Sequence, residues 1–172
     1  TGPMSRPGSQ RGSSVPGEVP RVYADTSVFG GAFDDEFEAP SRAFFEQVRA
    51  GQIDLVTSGL VRAEIGPAPD EVRALFTDML AFSEIIEPSV DGQTLRQAYM
   101  DAGIVTRRSS DDALHVALAT VSRCSIIVSW NFRHIVHFRK IPLYNAVNAR
   151  SGYPSLTILS PREVIEYEDE DV

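Results

Sequence analysis

The sequence predicts an α/β fold, a three-layer α/β/α domain built on a central parallel sheet of about five strands. Three observations carry this. Short apolar runs recur along the chain, segments with helical spacing lie between them, and the joints are short and rich in Gly, Pro and hydroxyl residues. Strands and helices that alternate in this way join most economically as parallel strands with crossover helices on both faces.

Taken in order, Val22–Ala24 is a short buried strand, and Pro40 to Ala50 has a helical spacing that turns Ala43, Phe44 and Val48 inward. Ile53 to Thr57 is a second strand. Ser58 caps a short helix, GLVRAEI, which Gly66-Pro67 ends. The segment PDEVRALFTDMLAF opens with Pro69 and Asp70 and repeats apolar residues at Val72, Leu75, Phe76, Met79 and Leu80, so it is a helix. Ile85-Ile86 is a third strand, and GQTLRQAYMDAG is a helix closed by Gly103. Ser109 or Ser110 caps DDALHVALATVSRC, a helix apolar on nearly every face and therefore packed closely on several sides. Ser125 to Ser129 is a fourth strand, Pro142 to Ala149 a helix, and Leu156 to Leu159 a fifth strand.

At 172 residues the chain is one domain's worth, and its 42 % apolar and 23 % charged content is ordinary for a globular protein. Residues 1–20, rich in Gly, Pro, Ser and Arg, are expected to be disordered, with Met4 the native start and Thr1 to Pro3 an added remnant. They lack the apolar core of a signal peptide. Residues 21–165 are expected to form the domain and 166–172 an acidic tail. No apolar run approaches the roughly 20 residues that span a bilayer, so no membrane partner is expected. The single cysteine, Cys124, excludes an internal disulfide and suits a reducing, cytoplasmic location.

The formal charge of −8 argues at first against a nucleic-acid partner. Its distribution weakens the objection. Residues 162–172 carry one Arg and six acids, a net −5, which leaves −3 on the rest of the chain. A second acidic cluster spans Asp34 to Glu38, while basic residues gather at Arg107-Arg108 and along Arg133, Arg139 and Lys140.

In an open α/β sheet, ligands bind outside the carboxyl ends of the strands. Asp25 directly follows the first strand, Asn131 sits two residues beyond Ser129 at the end of the fourth, and Asp111-Asp112 open the alanine-rich helix. Glu64 lies near the end of GLVRAEI. Each acid has a plain alternative. Asp25 can cap a helix beginning at Thr26, and Asp111-Asp112 suit the positive end of a helix dipole. Glu64 does not fit that pattern, because a carboxylate in the last turn of a helix faces the negative end. Several carboxylates in one cleft repel, and desolvation deepens the repulsion. A divalent cation relieves it: Mg²⁺ takes oxygen ligands, binds one or two carboxylates directly and keeps several waters. Water polarised in this way attacks a phosphodiester.

VYADTSVF, SGLVRAEI, SSDDALHVALAT and IIVSWNFRHI, in this order, resemble the PIN-domain nucleases and, within them, the VapC-type toxins of bacterial toxin–antitoxin pairs. The resemblance covers about Arg21 to Val164, with separations of 39, 48 and 19 residues between Asp25, Glu64, Asp112 and Asn131. It implies a PIN-like fold and an endoribonuclease, a hydrolase that uses Mg²⁺ or Mn²⁺ to cleave RNA. It also implies a cognate antitoxin as partner and a homodimer. Residue by residue, it implies that Asp25, Glu64 and Asp112 bind the metal, and that Asp111 assists or only caps. Asn131 stands where the family often has a fourth acid, which leaves three carboxylates. Ser129 is expected to orient a water or an acid within the catalytic set. Arg107, Arg108 and Arg133, with Ser27 beside the first acid, are the expected contacts to RNA.

Other readings are weaker. His134 and His137 have the i, i+3 spacing of a zinc pair but no further ligand cluster nearby. His115 lies one helical turn after Asp112, as a core histidine or as one reaching the substrate. FGGAF lacks the GxGxxG and GK[ST] patterns of phosphate loops, and no GxSxG elbow exists for a serine hydrolase. An aspartate-nucleophile phosphatase would want an acid where Ser27 stands. Trp130 either stacks a splayed base or packs under a neighbouring helix. The alternative from another class is a non-catalytic PIN-like domain that binds RNA or a protein partner.

Overall fold

The computed structural model describes residues 18–170, with side chains as far as Glu166. Five strands, β1 (Arg21–Ala24), β2 (Asp54–Ser58), β3 (Ser83–Ile86), β4 (Ile126–Val128) and β5 (Thr157–Leu159), form one sheet in the order β3-β2-β1-β4-β5. Every pairing is parallel. The helices are α1 (Thr26–Gly31), α2 (Glu38–Arg49), α3 (Gly59–Ile65), α4 (Asp70–Met79), α5 (Val90–Asp101), α6 (Ser110–Val121), α7 (Ile141–Arg150) and α8 (Pro161–Glu170). Their main contacts divide them into two groups, α1, α2, α3, α4 and α8 in one and α5, α6 and α7 in the other. These are the outer layers of the expected three-layer arrangement.

The core follows from this layering. β1 and β4 lie inside the sheet with helices on both faces, so Val22, Tyr23, Ala24, Ile127 and Val128 are fully buried. The alanine-rich α6 is buried at every position from Ala113 to Thr120, the close packing that its composition requires. Phe44 and Val48 of α2 point inward as expected, and Phe45 does so as well.

Several boundaries differ from the sequence reading, each for a local reason. The helix after β3 starts early, at Val90, because the Ser89 hydroxyl accepts from the Gly92 amide and caps it there. The segment from Asp70 stops at Met79 and tightens into a 3₁₀ turn, Leu80–Phe82, before β3. Ser109 occupies the N-cap position of α6, but neither it nor Ser110 caps with its side chain. Asp25 caps a helix beginning at Thr26, the plain alternative for that residue: α1 is this single short element. One helix goes beyond the sequence reading. α8 is opened by a capping box, in which Glu163 N donates to Ser160 Oγ at 3.3 Å and Ser160 N donates to Glu163 Oε1 at 3.1 Å. Its Val164 is fully buried, it packs on α2, and its backbone runs on to Glu170, across the boundary expected at 165/166. Residues 1–17 and 171–172, and with them most of the expected N-terminal disordered segment, lie outside the described residues. Among the described residues no helix is long and apolar enough to cross a membrane.

Candidate metal centre

From β1 the chain builds outward through β2 to β3, then crosses back to place β4 and β5 on the other side of β1. The order reverses between β1 and β4, and the crevice of such a sheet opens at the carboxyl ends of the two strands at that point. Ala24 pairs with Val128, so Asp25 and Ser129 leave the sheet side by side, one step past the last register pair.

Asp25 is buried and caps α1. Its Oδ1 accepts from the Ser27 amide at 3.1 Å and from the Ser27 hydroxyl at 2.5 Å. Its Oδ2 accepts from Ser129 Oγ at 2.6 Å. Each hydroxyl is itself aimed by a backbone amide: Trp130 N donates to Ser27 Oγ at 2.8 Å, and Asn131 N donates to Ser129 Oγ at 2.9 Å. Both hydroxyl protons are thereby committed to one carboxylate. Burial nonetheless pushes Asp25 above the ordinary carboxylate value, and the nearby charge of Glu64 adds to this, against His115 and the two serine hydrogen bonds. The group is oriented, and its charge is under-compensated.

Glu64 comes from the last turn of α3 and is partly exposed. Its Oε1 accepts from Thr26 Oγ1 at 2.9 Å and faces His115 Nε2 at 2.5 Å. Burial would raise this carboxyl, but the hydrogen bond and electrostatic pull of His115, with the Thr26 hydroxyl, outweigh it and lower the group. Thr26 is the neighbour of Asp25, so the two acids are tied to adjacent residues of one turn. His115 is a buried histidine bonded through both ring nitrogens, since Nδ1 lies 2.7 Å from Tyr23 Oη.

The remaining expected site residues are distributed as follows. Asp112 is half-buried in the first turn of α6, Asp111 is exposed beside it, and among the described residues neither accepts a side-chain hydrogen bond. Asn131 Oδ1 accepts from the amides of Arg133 and His134, at 3.2 and 2.9 Å, and so closes its own turn. The Ser27 hydroxyl is engaged by Asp25 and Trp130. Arg107, Arg108 and Arg133 are exposed, and none forms an ion pair among the described residues. Trp130 is buried, stacks on Phe37 with ring centroids 4.2 Å apart, and donates from Nε1 to Ser41 at 2.8 Å, so it packs as a core group. His134 bridges Ser109 Oγ at 3.1 Å and Lys140 Nζ at 3.2 Å, while His137 Nδ1 accepts from the Arg139 amide.

Sequence reasoning did not single out Thr26 and Tyr23. Thr26 sits in the hydroxyl pair after Asp25. Tyr23 lies in a wholly buried strand, where a phenol needs a hydrogen-bond partner, and that is the signal that could have marked it.

The donor chemistry suits a hard divalent ion, because every candidate ligand atom is a carboxylate oxygen. Glu64 Oε2 and both Asp112 oxygens have no protein hydrogen bond among the described residues, and buried Asp25 forms no ion pair among them. No three His, Cys, Asp or Glu side chains among the described residues lie close enough to hold one ion between them. The set thus fits an ion that keeps much of its water and would be held by few protein ligands, drawn from Asp25, Glu64 and Asp112.

No protein-family model matches the chain, and no curated protein does. Among solved structures, VapBC2 from Rickettsia felis, bound to a DNA fragment from their promoter, is similar. The likeness covers 81 % of this chain and 98 % of that chain, with a TM-score of 0.53 at 14 % identity. At that identity the likeness is one of fold: the five-stranded parallel sheet between helix layers is PIN-like, as the four sequence motifs imply.

Proposed function

We propose that the chain is a metal-dependent endoribonuclease, the toxin of a bacterial toxin–antitoxin pair, using Mg²⁺ or Mn²⁺. The observation that carries this reading is the Asp25 carboxylate, buried at the switch point, oriented by two serine hydroxyls and raised by its burial above the ordinary carboxylate value. A polar group buried at such a cost is characteristic of a functional site. When bound, a divalent ion supplies Lewis acidity and lowers the pKa of water. Asp25 and Glu64 would hold it. Ser27 and Ser129 keep the Asp25 oxygens fixed, and Asp112, whose oxygens have no protein hydrogen bond among the described residues, would complete the ligand set or take a proton from the attacking water.

Arg107, Arg108 and Arg133 would contact the RNA phosphates. From Ala113 to Arg162 the sequence has no Asp or Glu but carries Arg123, Arg133, Arg139, Lys140, Arg150 and Arg162, which supports a phosphate path in a chain of charge −8. The likeness to VapBC2 supports an antitoxin partner, and a homodimer and a cytoplasmic location belong to the same reading.

A second reading, a PIN-like module that binds RNA or a protein without cutting, draws support from Asn131, whose carbonyl serves its own turn, and from the absence of a three-acid cluster among the described residues. Incubation of the protein with a generic RNA in Mn²⁺ separates the two. Cleavage that stops with EDTA and with Asp25→Asn is the expected result. Equal cutting by Asp25→Asn in EDTA would sink the metal-nuclease reading.

A further inference from the structure

We infer that His115 is a positioning residue for Glu64, and that Tyr23 and Ser58 fix the ring in the state this requires. The inference rests on the reading of Glu64 as a metal ligand. Glu64 is badly placed for a carboxylate: it is partly buried, and it lies in the last turn of α3, where the helix dipole is negative. Its carboxylate is nevertheless held in place by two side chains, Thr26 Oγ1 at 2.9 Å and His115 Nε2 at 2.5 Å, both on Oε1.

Neutral or protonated, the His115 ring keeps a proton on Nε2 toward Glu64. An ionised carboxylate only accepts, so Nε2, 2.5 Å from Glu64 Oε1, carries a proton. In the neutral ring Nδ1 is then an acceptor, and the Tyr23 hydroxyl, 2.7 Å away, donates to it. Tyr23 Oη must in turn accept, and Ser58 Oγ at 2.7 Å donates. The Ser58 oxygen accepts from the Val61 amide at 3.2 Å, as the cap of α3. The chain of bonds therefore leaves α3 at its first turn and returns to α3 at Glu64 in its last.

This closed path has a consequence for the cleft. Thr26 and His115 both take Oε1, which leaves Oε2 as the oxygen without a protein partner among the described residues. The carboxylate cannot rotate without breaking two bonds, so the same oxygen stays available to a cation. α6 thereby contributes twice: Asp112 in its first turn, and one turn later, on the same helix face, the ring that orients Glu64. Outer partners of this kind typically change metal affinity by about 10–100-fold.

The test is calorimetric titration of Mn²⁺ into purified protein without RNA, comparing wild type, Asp25→Asn, Glu64→Gln, His115→Met, His115→Gln, Tyr23→Phe and the double variant Glu64→Gln/His115→Met. His115→Met is expected to weaken Mn²⁺ about 10-fold or more. His115→Gln, whose side-chain amide can still donate to Oε1, should stay within about threefold. In the Glu64→Gln background His115→Met should add nothing, because it acts through Glu64. Should His115→Met fail to fold, Tyr23→Phe, which deletes one oxygen, should weaken Mn²⁺ by about threefold or more, again only when Glu64 is present. An unchanged Mn²⁺ affinity in His115→Met, or a loss that is fully additive with Glu64→Gln, would overturn the inference while leaving the metal site intact. If Asp25→Asn and Glu64→Gln also leave Mn²⁺ binding unchanged, the metal reading falls and the inference falls with it.

Discussion

Ser129 Oγ donates to Asp25 Oδ2 at 2.6 Å, so the residue that follows β4 holds the residue that follows β1. The two are 104 positions apart in sequence and meet only because β1 and β4 are neighbours at the reversal of the strand order. With Ser27 on the other oxygen, Asp25 is fixed at both ends while its charge remains costly.

That cost has a sign that can be measured. The folded-state pKa of Asp25 is raised, so the stability linked to its proton is fully present below the unfolded value and is lost as pH rises through the folded value. Asp25→Asn is therefore expected to melt above wild type at pH 7 in metal-free buffer, and the gap should close on acidification below about pH 4. Melting curves across pH 3–8 check this.

Glu64 should behave in the opposite way. Its folded pKa is lowered, so its contribution is present above the unfolded value and is lost as pH falls through the folded one. Glu64→Gln is expected to destabilise the metal-free protein at pH 7 by about 1 kcal/mol, a charged hydrogen bond discounted for partial exposure. The difference from wild type should shrink below about pH 4. Two acids of one cleft thus move stability in opposite directions when neutralised.

Gly31 lies where α1 meets Trp130. A Cβ there would sit 2.7 Å from both Ser41 Oγ and Trp130 Nε1, the two atoms that hydrogen-bond each other. Gly31→Ala is expected to cost about 1–3 kcal/mol by overpacking. Because the Trp130 amide aims Ser27 at Asp25, RNA cleavage should fall further than the stability loss alone explains. Denaturant unfolding and a cleavage assay on the same sample separate the two effects.

Asn131→Asp keeps an oxygen for the amides of Arg133 and His134 and adds a negative charge near the cleft. It is expected to lower the metal-free melting temperature by repulsion and to enlarge the rise produced by Mn²⁺. Asn131→Ala, which loses the turn closure, should cost about 1 kcal/mol and not enlarge the metal effect.

The sequence makes the positions of Asp25, Glu64 and Asp112 legible because each is set by a local boundary: the end of a strand, the last turn of a capped helix, the first turn of another. Strand ends and caps are written in residues two to four apart. The partners of those acids are not local. Nothing in the spacing of Glu64 and His115, 51 residues apart, says that their side chains meet, and Tyr23 reads as one more buried strand residue. Asn131 shows the converse. Its side chain is used by the next two amides, a local turn preference that the comparison with a fourth acid passed over. α8 was hidden by composition, since six acids in REVIEYEDEDV suggest a solvated tail although Ser160 and Glu163 already form a capping box.

Whether Asp25 and Glu64 form a divalent-cation site is tested most directly by the melting temperature of wild type and Asp25→Asn with Mn²⁺ against NaCl at equal ionic strength. An ion that binds only the folded state stabilises by about 2.7 kcal/mol at a hundredfold excess over Kd. For a domain of this size that is a rise of roughly 5–10 °C. NaCl screens repulsion without filling the site, so it should give only a small part of the rise. Asp25→Asn should start higher than wild type and gain little from Mn²⁺. If NaCl reproduces the whole Mn²⁺ effect, or Asp25→Asn gains as much from Mn²⁺ as wild type does, the two acids do not hold a metal.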